Sequence, residues 1–330
     1  MNLLQVAIFQ VFADKRQNFH GISPQMSEIL CKFAVAFFNE TGVRDISAPP
    51  GKPMAALSIS HLGLRKEAPY GLGVALSGGG ARGFAHAGAL MALEHAGLIP
   101  DIIAGVSAGS VAATMYASGM RPLEILKAFQ GETFGSLTAI TATKGGLFKL
   151  DRFMGFLRKT IKQRNIEELN IPTLVCATDF DHGVPVTFTK GRLDERVAAS
   201  CCIPLVFQPI KINGTRYVDG GLLHNLPAWA LRSKCRYMIG INVSPIVESD
   251  THDSFLATAL RTYKLVAHSN AEADMKLCDL CIETKEIAGM NVFDLDNMEA
   301  TVKAGYDATI EVLKNASFHS LGPGDRAPRF

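Results

Sequence analysis

Hydrophobic residues in the second quarter of the chain alternate between short apolar runs and longer stretches with a helical pattern. Leu72 to Leu76 is predicted to be a strand, and Phe84 to His95 a helix that ends at Gly97. A second strand is predicted at Ile102 to Gly105 and a second helix at Ala108 to Ala117. Because strands and helices in tandem form parallel sheets with helices on their faces, we predict an α/β fold.

The segment after the second helix has the pattern of a cap. Pro122 is expected to begin a further helix, since the first helical turn tolerates proline. Gly131 to Asn165 contains an amphipathic stretch, Phe153 to Ile161, and we expect this segment to form a lid or cap over a pocket.

The second half of the chain contains further strand signals. Thr173 to Thr178 and Val184 to Thr189 are β-rich runs, and Pro209 to Val218 is predicted to be a hairpin because Asn213-Gly214 lies between alternating flanks. The remaining pattern predicts a helix at Leu226 to Leu231, a strand at Tyr237 to Val243, a long helix around Leu256 to Met275 and a last helix at Thr301 to Leu313.

One face of the predicted long helix is apolar. It carries Leu256, Leu260, Tyr263, Val266 and Ala267. We expect this face to pack on the core, and no ligand is needed to explain it.

The first seventy residues differ in pattern from the rest. We predict an N-terminal extension or linker of unknown role at residues 1–70, an α/β domain at 71–245, and a C-terminal helical part at 246–330 that packs on the same domain. The extension contains one helical stretch, Gln25 to Asn39, and a linker-like run from Pro49 to Pro53. Either the extension packs on the core or is partly disordered, or native translation starts later, for instance at Met54.

Composition and charge exclude several classes of function. Thirty-three basic and 31 acidic residues leave a formal net charge of +2, and no basic cluster is interleaved with aromatic residues, so no nucleic-acid partner is expected.

Seven cysteines, an odd number, indicate thiols of the reducing cytoplasm. Cys278 and Cys281 lack the second ligand pair that zinc requires, so we predict core thiols and no metal. No apolar run is long enough to span a bilayer, and a secretory signal is not recognisable.

Ser107 lies in the sequence Gly105-Val106-Ser107-Ala108-Gly109, between a predicted strand and a predicted helix. The flanking glycines permit a tight turn that exposes the serine oxygen. The helix N-terminus places unpaired N–H groups and the positive end of the helix dipole near a developing negative charge. This context favours Ser107 as a nucleophile.

A second strand-to-helix turn, Ser77 to Gly83, contains three consecutive glycines, Gly78, Gly79 and Gly80. Such a backbone can direct several N–H groups at one anion. The spacing also fits the dinucleotide motif G-x-G-x-x-G, but Asp101 precedes its strand, whereas the motif requires an acidic residue at a strand end. An oxyanion loop, a dinucleotide loop and a simple turn all stay open at this point.

Asp219 is followed by Gly220 and Gly221, directly after the predicted hairpin. An acidic residue before two glycines is often a plain turn. Its interpretation as a functional residue depends on the other two motifs.

Together the three motifs resemble the patatin-like phospholipase family. That family has, in order, a glycine-rich oxyanion loop with a basic residue, a G-x-S-x-G elbow, and an acid in D-G-A or D-G-G. This chain has the matching segments Gly78 to Gly83, Gly105 to Gly109 and Asp219 to Gly221. Further similarity is found at His86, at Ala177 to Asp179, and from Ala199 to Pro204 into Phe207 and Pro209.

The resemblance covers Gly71 to Ala230 well and the C-terminal helices loosely. It implies a patatin-like catalytic domain, which is a three-layer sandwich with a central, mostly parallel sheet flanked by helices. It also implies a serine lipid acyl hydrolase in which Ser107 is the nucleophile and Asp219 the proton acceptor, without a histidine. This scheme needs a partly desolvated Asp219 with a raised pKa.

The expected oxyanion or binding residues are Gly78, Gly79, Gly80, Arg82 and Ala108. The backbone N–H groups of Gly79, Gly80 and Ala108 are the best candidates to stabilise the oxyanion. Arg82 has two interpretations, a positive charge near the oxyanion or a phosphate head group, and a solvated arginine at the first turn of a helix. The expected partner is a lipid or phospholipid substrate, with peripheral membrane contact, and an apolar cap from Phe134 to Phe156 is expected to shelter a fatty chain. No cofactor is implied.

Two other hypotheses stay open. A Ser-His-Asp hydrolase also uses G-x-S-x-G but requires a histidine downstream of its acid. The available histidines are His224, His252, His268 and His319, and His224 is the best placed because it follows Asp219 closely. A non-catalytic lipid-binding module on the same fold is the second alternative.

Overall fold

A mixed β-sheet forms the centre of the computed structural model, which describes residues 68–140, 147–246, 254–290 and 295–316. The predicted helix at Gln25 to Asn39 and the predicted linker lie outside these ranges. The strands are β1 (Tyr70–Leu76), β2 (Ile102–Val106), β3 (Ala139–Ile140), β4 (Phe148–Lys149), β5 (Thr173–Asp179), β6 (Val184–Phe188), β7 (Ile210–Ile212), β8 (Thr215–Asp219), β9 (Cys235–Asn242) and β10 (Leu280–Glu283).

The order of strands in the central sheet is β10-β9-β1-β2-β5-β8-β7, and β6 also pairs with β5. The neighbours from β10 to β5 are parallel, whereas β6, β7 and β8 join in antiparallel orientation. The predicted hairpin is confirmed as β7 and β8, with Asn213 and Gly214 at positive φ values of 51° and 93°. Both residue types tolerate this left-handed region.

Helices connect and cover the strands. They are α1 (Phe84–His95), α2 (Ala108–Ala117), α3 (Pro122–Ala128), α4 (Phe134–Leu137), α5 (Asp151–Thr160), α6 (Leu193–Ser200), α7 (Ala228–Leu231), α8 (Phe255–Met275) and α9 (Met298–Asn315). The predicted boundaries of α1 and α2 agree with those observed.

The sheet buries a different apolar cluster on each face. Neighbouring side chains of β1 point to opposite faces, so Val74 joins one cluster and Ala75 the other. Leu90 of α1 and Val302 of α9 belong to the first cluster, and Leu231 of α7 belongs to the second. The predicted three-layer α/β fold is thereby confirmed.

The helices α1 and α9 approach each other through two glycines. A Cβ on Gly305 would lie 2.0 Å from the carbonyl oxygen of Ala85, and one on Gly88 would lie 1.9 Å from that of Val302. Both distances are far below van der Waals contact, so these positions require glycine. This contact joins the C-terminal segment to the helix that follows the glycine-rich loop.

Three expectations about the C-terminal half are wrong. The helix predicted from Leu226 begins only at Ala228, because Pro227 occupies its N-cap. The part after residue 246, predicted to be helical, also contributes strand β10, which pairs with β9. A four-residue strand shows too little alternation to be recognised. Val266 is 39% exposed and does not pack on the core as predicted.

The predicted cap corresponds to α4, the small β3–β4 sheet and α5. The amphipathic pattern of this segment forms α5, which buries Phe153 and Leu157. Residues 141–146 of the segment lie outside the described ranges. No helix in the described part of the chain is both long and apolar enough to span a membrane.

Candidate active site

Ser107 lies on a strained turn between β2 and α2. Its backbone has φ 51° and ψ −124°, a conformation that residues other than glycine rarely adopt. The flanking glycines allow the turn to close, since a Cβ on Gly105 would lie 2.2 Å from the carbonyl oxygen of Gly109. A Cβ on Gly109 would in turn lie 2.2 Å from the carbonyl oxygen of Leu76. The sharp strand-to-helix elbow predicted from the motif is therefore present.

The backbone of Ser107 is held by a residue whose role the sequence analysis missed. The N–H of Ser107 donates to Oγ of Ser200 at 2.8 Å, and that hydroxyl donates to the carbonyl oxygen of Cys176 at 2.6 Å. Ser200 is fully buried at the end of α6. The hydroxyl of Ser200 at the end of an apolar helix was the only sign in the sequence that this residue forms a buried hydrogen bond. Its partner, Ser107, lies 93 positions away in the chain and could not be identified from that sign.

Asp219 ends β8 and is fully buried. Its Oδ1 accepts a hydrogen bond from the N–H of Gly221 at 2.9 Å, while Oδ2 has no hydrogen-bond partner of good geometry in the described part of the chain. Burial raises the pKa of this carboxyl from 3.8 to about 6, against the opposing effects of the Ser107 hydroxyl, the Gly221 N–H and the Tyr263 phenol. The structure therefore brings Ser107 and Asp219 together, and it places the carboxyl in the desolvated setting that we expected.

The glycine-rich loop packs against the serine elbow. A Cβ on Gly83 would lie 2.5 Å from Cβ of Ala108, and one on Gly78 would lie 3.3 Å from Cβ of Ser107. Gly80 has a positive φ of 58° and begins a short 3₁₀ turn, Gly80–Gly83. The loop and the N-terminus of α2 thus share one corner of the molecule.

The backbone N–H groups of this corner differ in whether they already donate a hydrogen bond within the protein. The N–H of Gly78 donates to the carbonyl oxygen of Asn225 at 3.0 Å. This N–H is therefore already engaged, and the expectation that it contributes a hydrogen bond to the oxyanion is wrong. In contrast, no described residue accepts a hydrogen bond from the N–H of Gly79, Gly80 or Ala108.

Arg82 is buried and binds main-chain carbonyl groups. Its guanidinium donates to the carbonyl oxygens of Ala288 at 2.5 Å, Met290 at 3.0 Å and Pro245 at 3.3 Å. The interpretation as a solvated arginine is therefore wrong. The same contacts direct the guanidinium towards the segments after β9 and β10, and Arg82 does not line the apolar pocket beside Ser107.

An apolar pocket with a cavity volume of about 170 Å³ opens beside Ser107. Its walls come from the glycine-rich loop, α1, α2, α3, the cap and the segment after α6. The lining residues include Gly80, Ser107, Ala108, Phe134, Ile203 and Phe207. The cap also supplies Leu137, Leu150 and Phe153. None of the histidines in the described ranges lines this pocket.

His86 supports the start of the glycine-rich loop. It is fully buried, and its Nε2 lies 2.8 Å from the carbonyl oxygen of Ser77. Burial lowers the pKa of His86 to about 4, so the ring is neutral at physiological pH and donates through Nε2. The hydroxyl of Ser77 accepts from the N–H of Val243 at 2.9 Å, which ties the loop to the end of β9.

The histidine of the alternative triad, His224, has another partner. Its Nδ1 lies 2.7 Å from Oδ2 of Asp274, and its ring contacts Trp229. His268 lies beside Glu272 on α8. His252 and His319 lie outside the described residues.

Tyr263 reaches the candidate site, which the sequence analysis did not predict. It was assigned to a core-packing face, but its phenol oxygen would lie 2.3 Å from a Cβ on Gly221, directly beside Asp219. The apolar spacing along α8 indicated a buried position and gave no information on which polar group the phenol would meet.

Comparisons with known proteins agree with this architecture. Residues 74–232 match the family described as Patatin-like phospholipase. An uncharacterized NTE family protein of Mycobacterium tuberculosis is 34% identical over 156 residues, which cover 47% of this chain and 43% of that protein. Lysophospholipase NTE1 of Saccharomyces cerevisiae is 25% identical over 236 residues, covering 68% of this chain and 14% of that protein. The chain thus spans less than half the length of these relatives.

The fold itself is similar to that of VipD from Legionella pneumophila, with a TM-score of 0.50 and 15% identity over 84% of this chain and 72% of that one. The matched segment of the family contains the glycine-rich loop, the serine elbow and the Asp219 turn. The chain therefore contains a segment, residues 74–232, that is similar to the patatin-like phospholipase family.

Proposed function

We propose that this protein hydrolyses acyl esters of lipids, with Ser107 as nucleophile and Asp219 as general base. The observation that carries the proposal is the position of Ser107, on a strained elbow that opens into an apolar pocket and adjoins a buried carboxyl. A hydroxyl attacks only when a base takes its proton, and a carboxyl with a raised pKa is a better proton acceptor than a solvated one.

In the first step, Oγ of Ser107 attacks the ester carbonyl and its proton passes to Asp219. The C–O bond of the tetrahedral intermediate then breaks, the alcohol leaves with that proton, and an acyl-serine remains. Water attacks the acyl-serine while Asp219 again accepts a proton, and the fatty acid is released as Ser107 is regenerated.

The developing oxyanion would be stabilised by the N–H groups of Gly79, Gly80 and Ala108. Support comes from their position at the corner beside Ser107 and from the lack of another acceptor among the described residues. Loss of one donor of this kind typically costs about 3 to 4 kcal/mol of transition-state stabilisation.

The acyl chain would occupy the apolar pocket beneath the cap. Phe134 and Phe207 line it, and their ring centroids are 6.1 Å apart. The name of the yeast relative, a lysophospholipase, suggests phospholipids with one acyl chain as a substrate class to test here.

The cytoplasmic location expected from the cysteines of the chain stays a prediction.

We further propose that the protein binds the surface of a lipid bilayer through an apolar rim, defined as Ile140, Leu147 and Leu205. These side chains are 87%, 45% and 55% exposed. Leu205 has a φ of 68°, which is strained for leucine and is unusual in an exposed position without a functional reason.

The rim adjoins the pocket. The N–H of Leu147 donates to the carbonyl oxygen of Val206, next to Leu205, and Ile140 pairs with Phe148 in the β3–β4 sheet. The Phe148 ring packs on Phe134, which lines the pocket, at a centroid distance of 5.2 Å. A bilayer bound at the rim would therefore present its lipids at the pocket entrance.

The nucleophile and base are tested by fluorophosphonate labelling, with peptide mass spectrometry to locate the adduct. We expect an adduct on Ser107 in the wild type and its loss in Asp219→Asn. His224→Ala serves as the control and should hydrolyse p-nitrophenyl esters at the wild-type rate. An adduct on another serine, or none in folded protein, would support the lipid-binding module instead, and loss of activity in His224→Ala would support the triad.

The acyl pocket is tested by comparing esters of increasing chain length. We expect kcat/KM to rise from acetate to octanoate in the wild type, and Ile203→Trp, which narrows the pocket, to lower the octanoate value more than the acetate value. Ile99→Trp is the matched control because Ile99 is exposed in the loop that precedes β2, at the opposite end of that strand from the elbow. Equal effects on both esters would contradict the assignment of the pocket.

The rim is tested by sedimentation with phosphatidylcholine vesicles. Leu205→Asp should lower the bound fraction and the activity on vesicles while leaving hydrolysis of soluble p-nitrophenyl acetate unchanged. Ile99→Asp introduces the same charge at the end of β2 that lies opposite the elbow, and this variant should bind vesicles like the wild type. Unchanged vesicle binding by Leu205→Asp and by Ile140→Asp would exclude the rim.

A further inference from the structure

The long helix α8 brings two polar side chains to the turn that carries Asp219. Tyr263 and Asn270 lie two turns apart and therefore on the same side of the helix. Asn270 donates through Nδ2 to the carbonyl oxygen of Gly221 at 2.9 Å, and its Oδ1 accepts from the N–H of Asn225 at 2.7 Å. The helix thus holds the backbone on the C-terminal side of Asp219.

Tyr263 approaches the same turn at the carboxyl itself. A Cβ on Gly221 would lie 2.3 Å from Oη of Tyr263 and 3.2 Å from Oδ1 of Asp219, so the phenol and the carboxyl adjoin the same point. Any side chain at position 221 would occupy the space that the phenol uses. The glycine after Gly220 therefore permits the approach of a helix from a distant part of the chain.

The phenol is a proton donor under all conditions in which the enzyme would work. Burial and the negative charge of Asp219 raise the pKa of Tyr263 well above its usual value. The hydroxyl therefore keeps its proton at neutral pH and interacts favourably with an ionised carboxylate. Asp219 needs such a donor, because Gly221 provides the one well-formed hydrogen bond to its carboxyl among the described residues.

We propose that Tyr263 is a positioning residue for the general base, because its phenol orients the carboxyl of Asp219 and favours the ionised form that accepts the Ser107 proton. The inference rests on the proposed function, since it requires Asp219 to act as the base. It assigns a role to a residue outside the segment that matches the family, which ends at residue 232. Helix α8, which lies beyond that segment in the chain, would then complete the site.

The test is the pH dependence of p-nitrophenyl octanoate hydrolysis by the full chain and by Tyr263→Phe between pH 5 and pH 9. Activity of the wild type should rise with pH around the pKa of Asp219, about 6. Loss of a donor to a charged group should move this rise upwards by about one pH unit. At pH 6 kcat should fall several-fold at constant KM, and the difference should shrink towards pH 9.

Rates are expressed per Ser107 that a fluorophosphonate can label, so a loss of folded enzyme is not counted as a loss of kcat. Tyr306→Phe is the matched control, because Tyr306 is a buried tyrosine whose hydroxyl contacts Nδ1 of His95, away from the pocket. Its pH profile should equal that of the wild type.

The outcomes separate this inference from the proposed function. If the wild type hydrolyses the ester and Tyr263→Phe has the same pH profile, the role of Tyr263 is wrong and the proposed function stands. A parallel loss of kcat at every pH would indicate a merely structural role and would also overturn the inference. If folded wild type neither reacts with the probe nor hydrolyses the ester, both proposals fail.

Discussion

The hydroxyl of Ser200 accepts a hydrogen bond from the backbone N–H of Ser107 and donates one to the carbonyl oxygen of Cys176. One buried side chain thus joins the serine elbow to β5. The strained φ of 51° at Ser107 needs such support, because backbone strain persists only where surrounding contacts impose it.

We therefore expect Ser200→Ala to reduce both stability and activity. The substitution leaves a buried N–H and a buried carbonyl without this partner, which typically costs about 1 to 3 kcal/mol. The midpoint of urea unfolding should fall, and so should the rate of fluorophosphonate labelling at Ser107.

The control for this experiment is Ser118→Ala. The Ser118 hydroxyl donates to the carbonyl oxygen of Met115 at the end of α2, where it is only partly buried. Its loss should change stability by less than about 1 kcal/mol. A Ser200→Ala protein that unfolds and reacts like the wild type would show that Ser200 does not support the elbow.

The buried carboxyl of Asp219 should destabilise the folded protein above neutral pH. Because its pKa rises from 3.8 to about 6 on folding, its favourable contribution is complete below pH 3.8 and is lost as the pH passes 6. This rise corresponds to about 3 kcal/mol. Asp219→Asn should therefore be more stable than the wild type at pH 8, although we expect it to be inactive.

The measurement is urea unfolding of both proteins at pH 8 and pH 4.5. The advantage of Asp219→Asn should be largest at pH 8 and should shrink at pH 4.5, where folded wild type is protonated at Asp219. A difference independent of pH would mean that Asp219 is not desolvated. Asp307→Asn is the control, because Asp307 is an exposed residue of α9.

The contact between α1 and α9 gives a prediction about stability alone. Replacement of a helical glycine by alanine usually stabilises by about 1 kcal/mol. In Gly305→Ala, however, the new Cβ would lie 2.0 Å from the carbonyl oxygen of Ala85, and overpacking of this kind costs about 1 to 3 kcal/mol or more. Because the neighbour is backbone and cannot rotate away, we expect net destabilisation.

Gly155→Ala is the matched substitution in α5. At this position the nearest atom to a new Cβ is Nη2 of Arg158, at 3.8 Å, so the helix preference should prevail and the unfolding midpoint should rise. Opposite signs for the two alanines in the same urea experiment are the expected result. A stabilised Gly305→Ala would show that α1 and α9 are farther apart than described.

The sequence by itself determined the local elements and the motifs of this protein. The runs that form β1, α1, β2 and α2 are long or regular enough to be recognised, and glycines at turns mark positions where a Cβ would collide with backbone. The same pattern located Ser107, and its similarity to a known family connected it with Asp219. These signals are local, because strand and helix periods and turn chemistry depend on neighbours in the chain.

The tertiary structure decided which distant groups complete the site. Ser200 and Tyr263 reach the elbow and the carboxyl from α6 and α8, and Arg82 turns towards the carbonyls of Ala288 and Met290. A polar side chain in an apolar stretch has the same local pattern whatever its partner is. Which hydrogen bond it forms depends on how the layers pack, and that is set by the burial of the whole core rather than by the residues beside it in the chain.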